Sequence, residues 1–287
     1  MQLMRGIPDQ PCELYLDLLK RCLTRELFIE EEVQEVPDED LHRCVSAETS
    51  AMVARAGWRV VCPSGRRADR EEGLDWPPTA ETMIGLRRLD NLHECIRSVL
   101  IDRIPGDLME AGVWRGGATI FMRAALAAYA DSDRRVIVAD SFNGLPPPDV
   151  DRYPCDSEVG LSGEPFLAVD EPTVRRNFQR YGMLDDKVVF LPGWFCNSLP
   201  TAPVEQLAIL RVDADLYQST TEVLSIMYPK VSVGGFVIID DFGAIPACRA
   251  AVEDFRERHG VQDELTHIDR TGVYWRRTGT AFGGAIE

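Results

Sequence analysis

A chain of 287 residues, 45% hydrophobic and 27% charged, has an ordinary soluble globular composition, long enough for one large domain with an extension. Its formal net charge of −16, from 31 basic and 47 acidic residues, argues against nucleic acid or an anionic membrane as partner, since both need basic surface. No basic-then-apolar leader and no apolar run of membrane-spanning length is legible, so a cytoplasmic protein is expected. Eight cysteines lie scattered without a C-x-x-C pair, and four histidines lack metal-ligand spacing; these read as reduced thiols and structural rings.

Leu14, Leu18, Leu19 and Leu23 recur at helical spacing and predict an amphipathic helix over 13–24. From about Glu30 to Pro78 acidic stretches, arginines and prolines break every period. Residues 1–78 are therefore expected to form a helical and irregular extension that covers the ligand side of the following domain or meets a second subunit, giving a homodimer or higher homo-oligomer. Thr79 or Thr82 can cap a helix from about residue 80, with Leu89, Leu92, Ile96 and Val99 as its buried stripe. Pro105-Gly106 ends that unit. Strand 107–113, helix 117–130, strand 135–140, helix 170–184 and strand 187–192 follow. Strand 206–213, helix 218–229, strand 235–240, helix 246–259 and two closing strands near 264–268 and 272–276 complete the series. Such alternation predicts an α/β fold, a doubly wound and mostly parallel seven-stranded sheet over 79–278, with a tail at 279–287. Residues 144–170, rich in Pro, Gly and acids, are long for a connection and read as a lid or a disordered loop.

Two apolar runs end in acids. Leu207 to Val212 runs into Asp213-Ala214-Asp215, and Phe236 to Ile239 runs into Asp240-Asp241. Strands covered on both faces have this composition, and their carboxyl ends form the ligand crevice. Four carboxylates there repel one another unless a proton or cation offsets the charge, and clustered oxygen ligands suit Mg²⁺. Asp213, Asp240 and Asp241 close two adjacent strands and are assigned as metal ligands. Asp215, two residues beyond Asp213, is assigned as the general base, or alternatively as a cap of the following helix. A third strand end carries Glu110, Gly112, Gly116 and Gly117 before a helix, a turn in which backbone can approach a ligand closely and helix N–H groups favour an anion. The spacing is not the dinucleotide fingerprint. Asp140 closes the next strand, where an acid commonly holds ribose hydroxyls.

These segments resemble a known family. Asp75 to Asn91, Glu110 to Gly117, Ala139 to Pro146, Asp240 to Phe242 and Gly272 to Trp275, with Tyr15 to Lys20 at the N-terminal end, look like the macrocin O-methyltransferase (TylF-like) family. The resemblance covers nearly the whole chain. It implies a class I, Rossmann-like methyltransferase that uses S-adenosylmethionine and Mg²⁺ to methylate sugar hydroxyls of glycosylated antibiotics. For the cofactor, Glu110 and Gly112 line the first turn, and Thr119 sits at the helix start near the methionine carboxylate. Asp140 and Ser141 take the ribose, while Gly193 and Trp194 meet adenine. Met83 covers the methionine end or packs on its helix, Trp194 is otherwise a rim aromatic, and Arg115 pairs with a carboxylate or faces solvent. The chief rival is a nucleotide-sugar glycosyltransferase using Asp213-Ala214-Asp215 as a D-x-D motif. An NAD oxidoreductase fails on the glycine spacing, and a degenerate binding module is disfavoured because every expected carboxylate is present.

Overall fold

A computed structural model describes residues 10–37 and 39–279; the expected tail from residue 280 lies outside them. The extension contains α1 (Gln10–Leu23), β1 (Val33–Glu35), α2 (Leu41–Cys44), α3 (Ala47–Arg55), β2 (Val61–Pro63) and α4 (Arg67–Glu72). Next come α5 (Gly85–Ile101), β3 (Asp107–Ala111), α6 (Gly117–Ala128), β4 (Val136–Asp140), α7 (Glu171–Arg180), β5 (Val188–Pro192) and α8 (Phe195–Ser198). The chain closes with β6 (Leu207–Val212), α9 (Tyr217–Met227), β7 (Val231–Ile239), α10 (Pro246–Arg258), β8 (Thr266–His267) and β9 (Val273–Arg276). Seven strands form one sheet in the order β5-β4-β3-β6-β7-β9-β8. The first five are parallel, β9 runs antiparallel to β7, and β8 runs antiparallel to β9. This is the doubly wound sheet that the alternation of strands and helices predicts.

Pleating sends successive residues to opposite faces. In β4, Val136 and Val138 enter one apolar core with α1, α5, α6 and α7, while Ile137 and Ala139 enter the other with α9 and α10. Phe236/Ile238 and Val237/Ile239 divide the same way in β7, so the strands are apolar throughout because both faces are covered.

Two local expectations need correction. In α1 the buried stripe is Leu16, Leu19 and Leu23, whereas Leu14 and Leu18 are exposed. The helix expected from residue 80 starts at Gly85, because residues 80–82 have other partners. Glu81 and Thr82 both donate backbone N–H groups to Leu23 O, and Gly117 N–H donates to Glu81 O at 2.9 Å. This segment ties the end of α1 to the start of α6. The irregular stretch before it is pinned by Arg70, 1% exposed, which donates to Glu32, to Asp75 at 2.8 Å and to Thr24 O. A buried guanidinium with this many acceptors fixes a segment too polar to form its own core.

Candidate active site

The carboxyl ends of β3, β4, β6 and β7 open into a cavity of about 500 Å³. Its floor carries Glu110, Gly112, Val113, Asp140, Ser141, Asp213, Asp215, Asp240 and Asp241, and Met83, Gly193 and Trp194 stand on its walls. Of the site residues inferred from sequence, Thr119 is not brought to the cavity. It is fully buried, with Oγ1 donating to Gly116 O at 2.8 Å, and so braces the first turn of α6.

The glycine turn is shaped by its neighbours as much as by any ligand. Gly112 has φ +88°, and a Cβ there would lie 1.7 Å from the Asp213 carbonyl oxygen. The missing side chain lets the ends of β3 and β6 close on each other. Asp140 Oδ2 accepts from Val113 N–H and Oδ1 from Phe142 N–H, both at 2.7 Å, which ties the turn after β3 to β4. Burial raises the Asp140 pKa against these backbone donors. Asp140 itself lines the cavity. Ser141 closes its own turn, donating to Gly144 O at 2.7 Å. Arg115 neither pairs with a carboxylate nor faces open solvent. It donates to the carbonyls of Pro77, Pro78 and Ala80 and lies over the rings of Trp114 and Phe166.

Beneath the cavity lies a charge network that contains two arginines not singled out from sequence. Arg211, 1% exposed and paired across the ladder with Glu110, donates to Glu110, to Asp213 Oδ2 at 2.9 Å and to Asp240. Arg88 from α5 donates to Asp240, to Asp269 Oδ2 at 2.9 Å and to the carbonyls of Glu72 and Gly73. The signal for Arg211 was present: a charged residue inside an otherwise apolar buried strand needs an acid beside it.

Asp213, Asp215 and Asp241 each present a carboxylate oxygen within 4.8 Å of the others. Asp240, expected among the ion ligands, is not in this group, because its two oxygens face Arg211 and Arg88. Asp215 sits in left-handed backbone at φ +57°, a conformation aspartate tolerates better than most residues. Burial and the neighbouring acids push Asp213 up to about 6 and Asp215 up to about 8, and raise Asp241 well above the usual carboxylate range. Glu110 is pushed up to about 8 by burial, against the pull of Arg211. Buried Asp241 Oδ2 and Glu110 Oε2 have no hydrogen-bond partner among the described residues. Four acids (Glu110, Asp213, Asp240 and Asp269) thus share two guanidinium groups, and among the described residues Asp215 and Asp241 pair with neither, a deficit that a cation would relieve.

A parallel sheet with antiparallel β9, a glycine turn after β3 and acids at the ends of β4, β6 and β7 around one cavity define a class I O-methyltransferase with S-adenosylmethionine as methyl donor. The chain belongs to the macrocin-O-methyltransferase (TylF) family, whose model matches residues 12–277. It is 48% identical over 275 residues to the mycinamicin III 3''-O-methyltransferase of Micromonospora griseorubida, covering 94% of this chain and 99% of that one. It is 47% identical over 272 residues to a Streptomyces olivaceus 4'-O-methyltransferase of a rhamnosyl-tetracenomycin C, covering 93% of each. The solved structure of the O-methyltransferase NovP superposes with a TM-score of 0.80 at 44% identity, covering 93% of this chain and all of that one. Among the described residues no helix is long and apolar enough to cross a membrane.

Proposed function

We propose that this enzyme transfers the methyl group of S-adenosylmethionine to a sugar hydroxyl of a glycosylated natural product in antibiotic biosynthesis, with Mg²⁺ as a second cofactor. The names of the relatives support the acceptor class. The observation that carries the metal is the group Asp213, Asp215 and Asp241, with an unpartnered buried oxygen on Asp241. Hard oxygen donors in this number suit Mg²⁺, which keeps open positions for other oxygens.

Asp213 and Asp241, from adjacent strand ends, would hold the ion. Arg211 fixes one oxygen of Asp213 and leaves the other for coordination. A bound divalent cation lowers the pKa of a coordinated hydroxyl and orients it, here with two neighbouring sugar oxygens as the fitting ligand. Asp215, which pairs with no arginine among the described residues, takes the proton of the acceptor hydroxyl as general base. Asp140 would take the ribose, and Glu110, which lines the cavity with Gly112 and Met83, the methionine end. Trp194, on the cavity wall, would meet the adenine. Gly73 and Trp76 from the extension, with Leu145, Pro146, Leu161 and Leu167 of the 144–170 connection, also line the cavity, and we take their largely apolar surface as its acceptor side. That lining supports the reading of the extension as acceptor cover and of the loop as a lid.

A second reading of Asp215 has its own support. Because it falls within the 4.8 Å group, it could serve as a third ligand, and the Asp215→Asn variant separates the two roles. The glycosyltransferase reading of the D-x-D motif is not favoured by the family. Chelation with EDTA is expected to abolish methyl transfer while S-adenosylmethionine still binds in calorimetry, and added Mg²⁺ should restore turnover. Full turnover in a metal-free preparation would rule out the role of Mg²⁺.

A further inference from the structure

The connection 144–170 is not free along its length. A short turn, Pro154–Glu158, carries Asp156, which is 1% exposed. Its two carboxylate oxygens accept the backbone N–H groups of Tyr217 at 2.6 Å and Gln218 at 3.1 Å. These are the first two residues of α9, a helix with no cap of its own, since Leu216 at the N-cap position makes no side-chain hydrogen bond. The cap is supplied from the lid instead. Among the described residues Asp156 forms no ion pair, so its buried charge rests on N–H groups and the positive end of the helix. Around it the Tyr153 ring meets the Tyr217 ring at 5.6 Å, and the Tyr217 hydroxyl donates to Asp254 of α10 at 2.8 Å.

What precedes α9 makes this cap consequential. Asp213 to Leu216 is a tight turn between β6 and the helix, with Asp215 at φ +57° and Leu216 N–H bonded to Ala214 O at 2.6 Å. The strand side is held by Asp213 N–H on Ala111 O at 2.9 Å. The helix side is held by Asp156. The turn that carries Asp213 and Asp215 thus has one anchor on each side.

We propose that Asp156 is a positioning residue of the methyl-transfer site: by capping α9 from the lid it holds the Asp213–Asp215 turn in its ion-binding arrangement, so that the metal centre is complete only when the lid is docked. This rests on the reading of Asp213 and Asp241 as metal ligands. Coupling of this kind is reciprocal, so occupation of the ion site should in turn favour the docked lid.

The test compares wild type, Asp156→Ala and Asp156→Asn as full-length proteins, with Mn²⁺ as the probe ion. Mn²⁺ affinity is read by electron paramagnetic resonance, S-adenosylmethionine affinity by calorimetry, and lid docking by limited proteolysis within 144–170. For Asp156→Ala, both Mn²⁺ affinity and kcat are expected to fall about tenfold, the scale of a lost helix cap. Cofactor affinity should stay within about twofold, because the cofactor side is built on β3 and β4, away from the lost cap. Asp156→Asn keeps one carbonyl acceptor and should lie between, and it carries the test alone if the alanine variant does not fold. In wild type Mn²⁺ should slow cleavage of the loop, and in Asp156→Ala it should not. Unchanged Mn²⁺ affinity in a folded variant, or a parallel loss of cofactor affinity, would reduce Asp156 to a structural tether and overturn the proposal. A wild type that binds no Mn²⁺ at all would instead defeat the metal reading itself.

Discussion

Removing the proposed metal should make stability depend on pH in a direction opposite to that of an ordinary acidic protein. Asp213 is pushed up to about 6 by burial and then Asp240, and Asp215 up to about 8 by burial and then Asp213 and Asp240; both line the cavity. In the unfolded chain both would ionise near pH 4. A group whose folded pKa is raised contributes stability that is fully present below its unfolded pKa and is lost as pH rises toward its folded pKa. The window therefore runs from about pH 4 to about pH 8. One proton held by the folded state alone costs about 1.4 kcal/mol per pH unit, or about 3 kcal/mol between about pH 5.5 and pH 7.5. For a chain of this size that corresponds to a drop in Tm of roughly 5–10 °C. Mg²⁺ at the proposed site would favour the ionised carboxylates, so it should remove the cluster's share of this loss. Glu110, also raised, titrates in the same sense, and His93, which burial holds below its usual value, in the opposite one. Both are common to the two conditions, so the informative quantity is the Tm in Mg²⁺ minus the Tm in EDTA. Measured by differential scanning calorimetry, that gap should widen steadily from pH 5.5 to 7.5, and Asp215→Asn should flatten it. A gap that is absent, or that stays constant with pH, would refute the reasoning.

The remaining expectations concern single residues. Asp215→Asn should lower kcat by roughly a hundredfold or more while leaving Mn²⁺ affinity nearly intact, because the amide accepts no proton. A large loss of Mn²⁺ affinity with that substitution would make Asp215 a ligand and place the base elsewhere. Asp140→Ala should weaken S-adenosylmethionine binding several-fold or more in calorimetry, through loss of charge-assisted bonds to the ribose and of the anchor on Val113 N–H. Wild-type cofactor affinity in a folded Asp140→Ala protein would leave Asp140 as a brace of the glycine turn alone.

The sheet was legible because its information is local. Apolar runs such as Leu207 to Val212 and Phe236 to Ile239 need cover on both faces, and the helices between them have amphipathic stripes to supply it. The acids at the strand ends were legible for the same reason, since chain order alone places Asp140, Asp213, Asp240 and Asp241 at one edge of a parallel sheet. Division of labour among those acids was not. Asp240 and Asp241 are adjacent and chemically identical, yet the first turns to Arg88 and Arg211 and the second leaves an oxygen unpartnered. Only the packing of α5 against the sheet, which brings in a guanidinium 152 positions away in the chain, decides between them. The start of α5 was displaced in the same way, because residues 80–82 bond to Leu23 and Gly117 rather than to one another. So was the cap of α9, which comes from Asp156 and not from any neighbour in sequence. Periodicity and strand-end chemistry follow from covalent order, whereas the partner that satisfies a buried charge is set by which distant groups the fold leaves within hydrogen-bond reach.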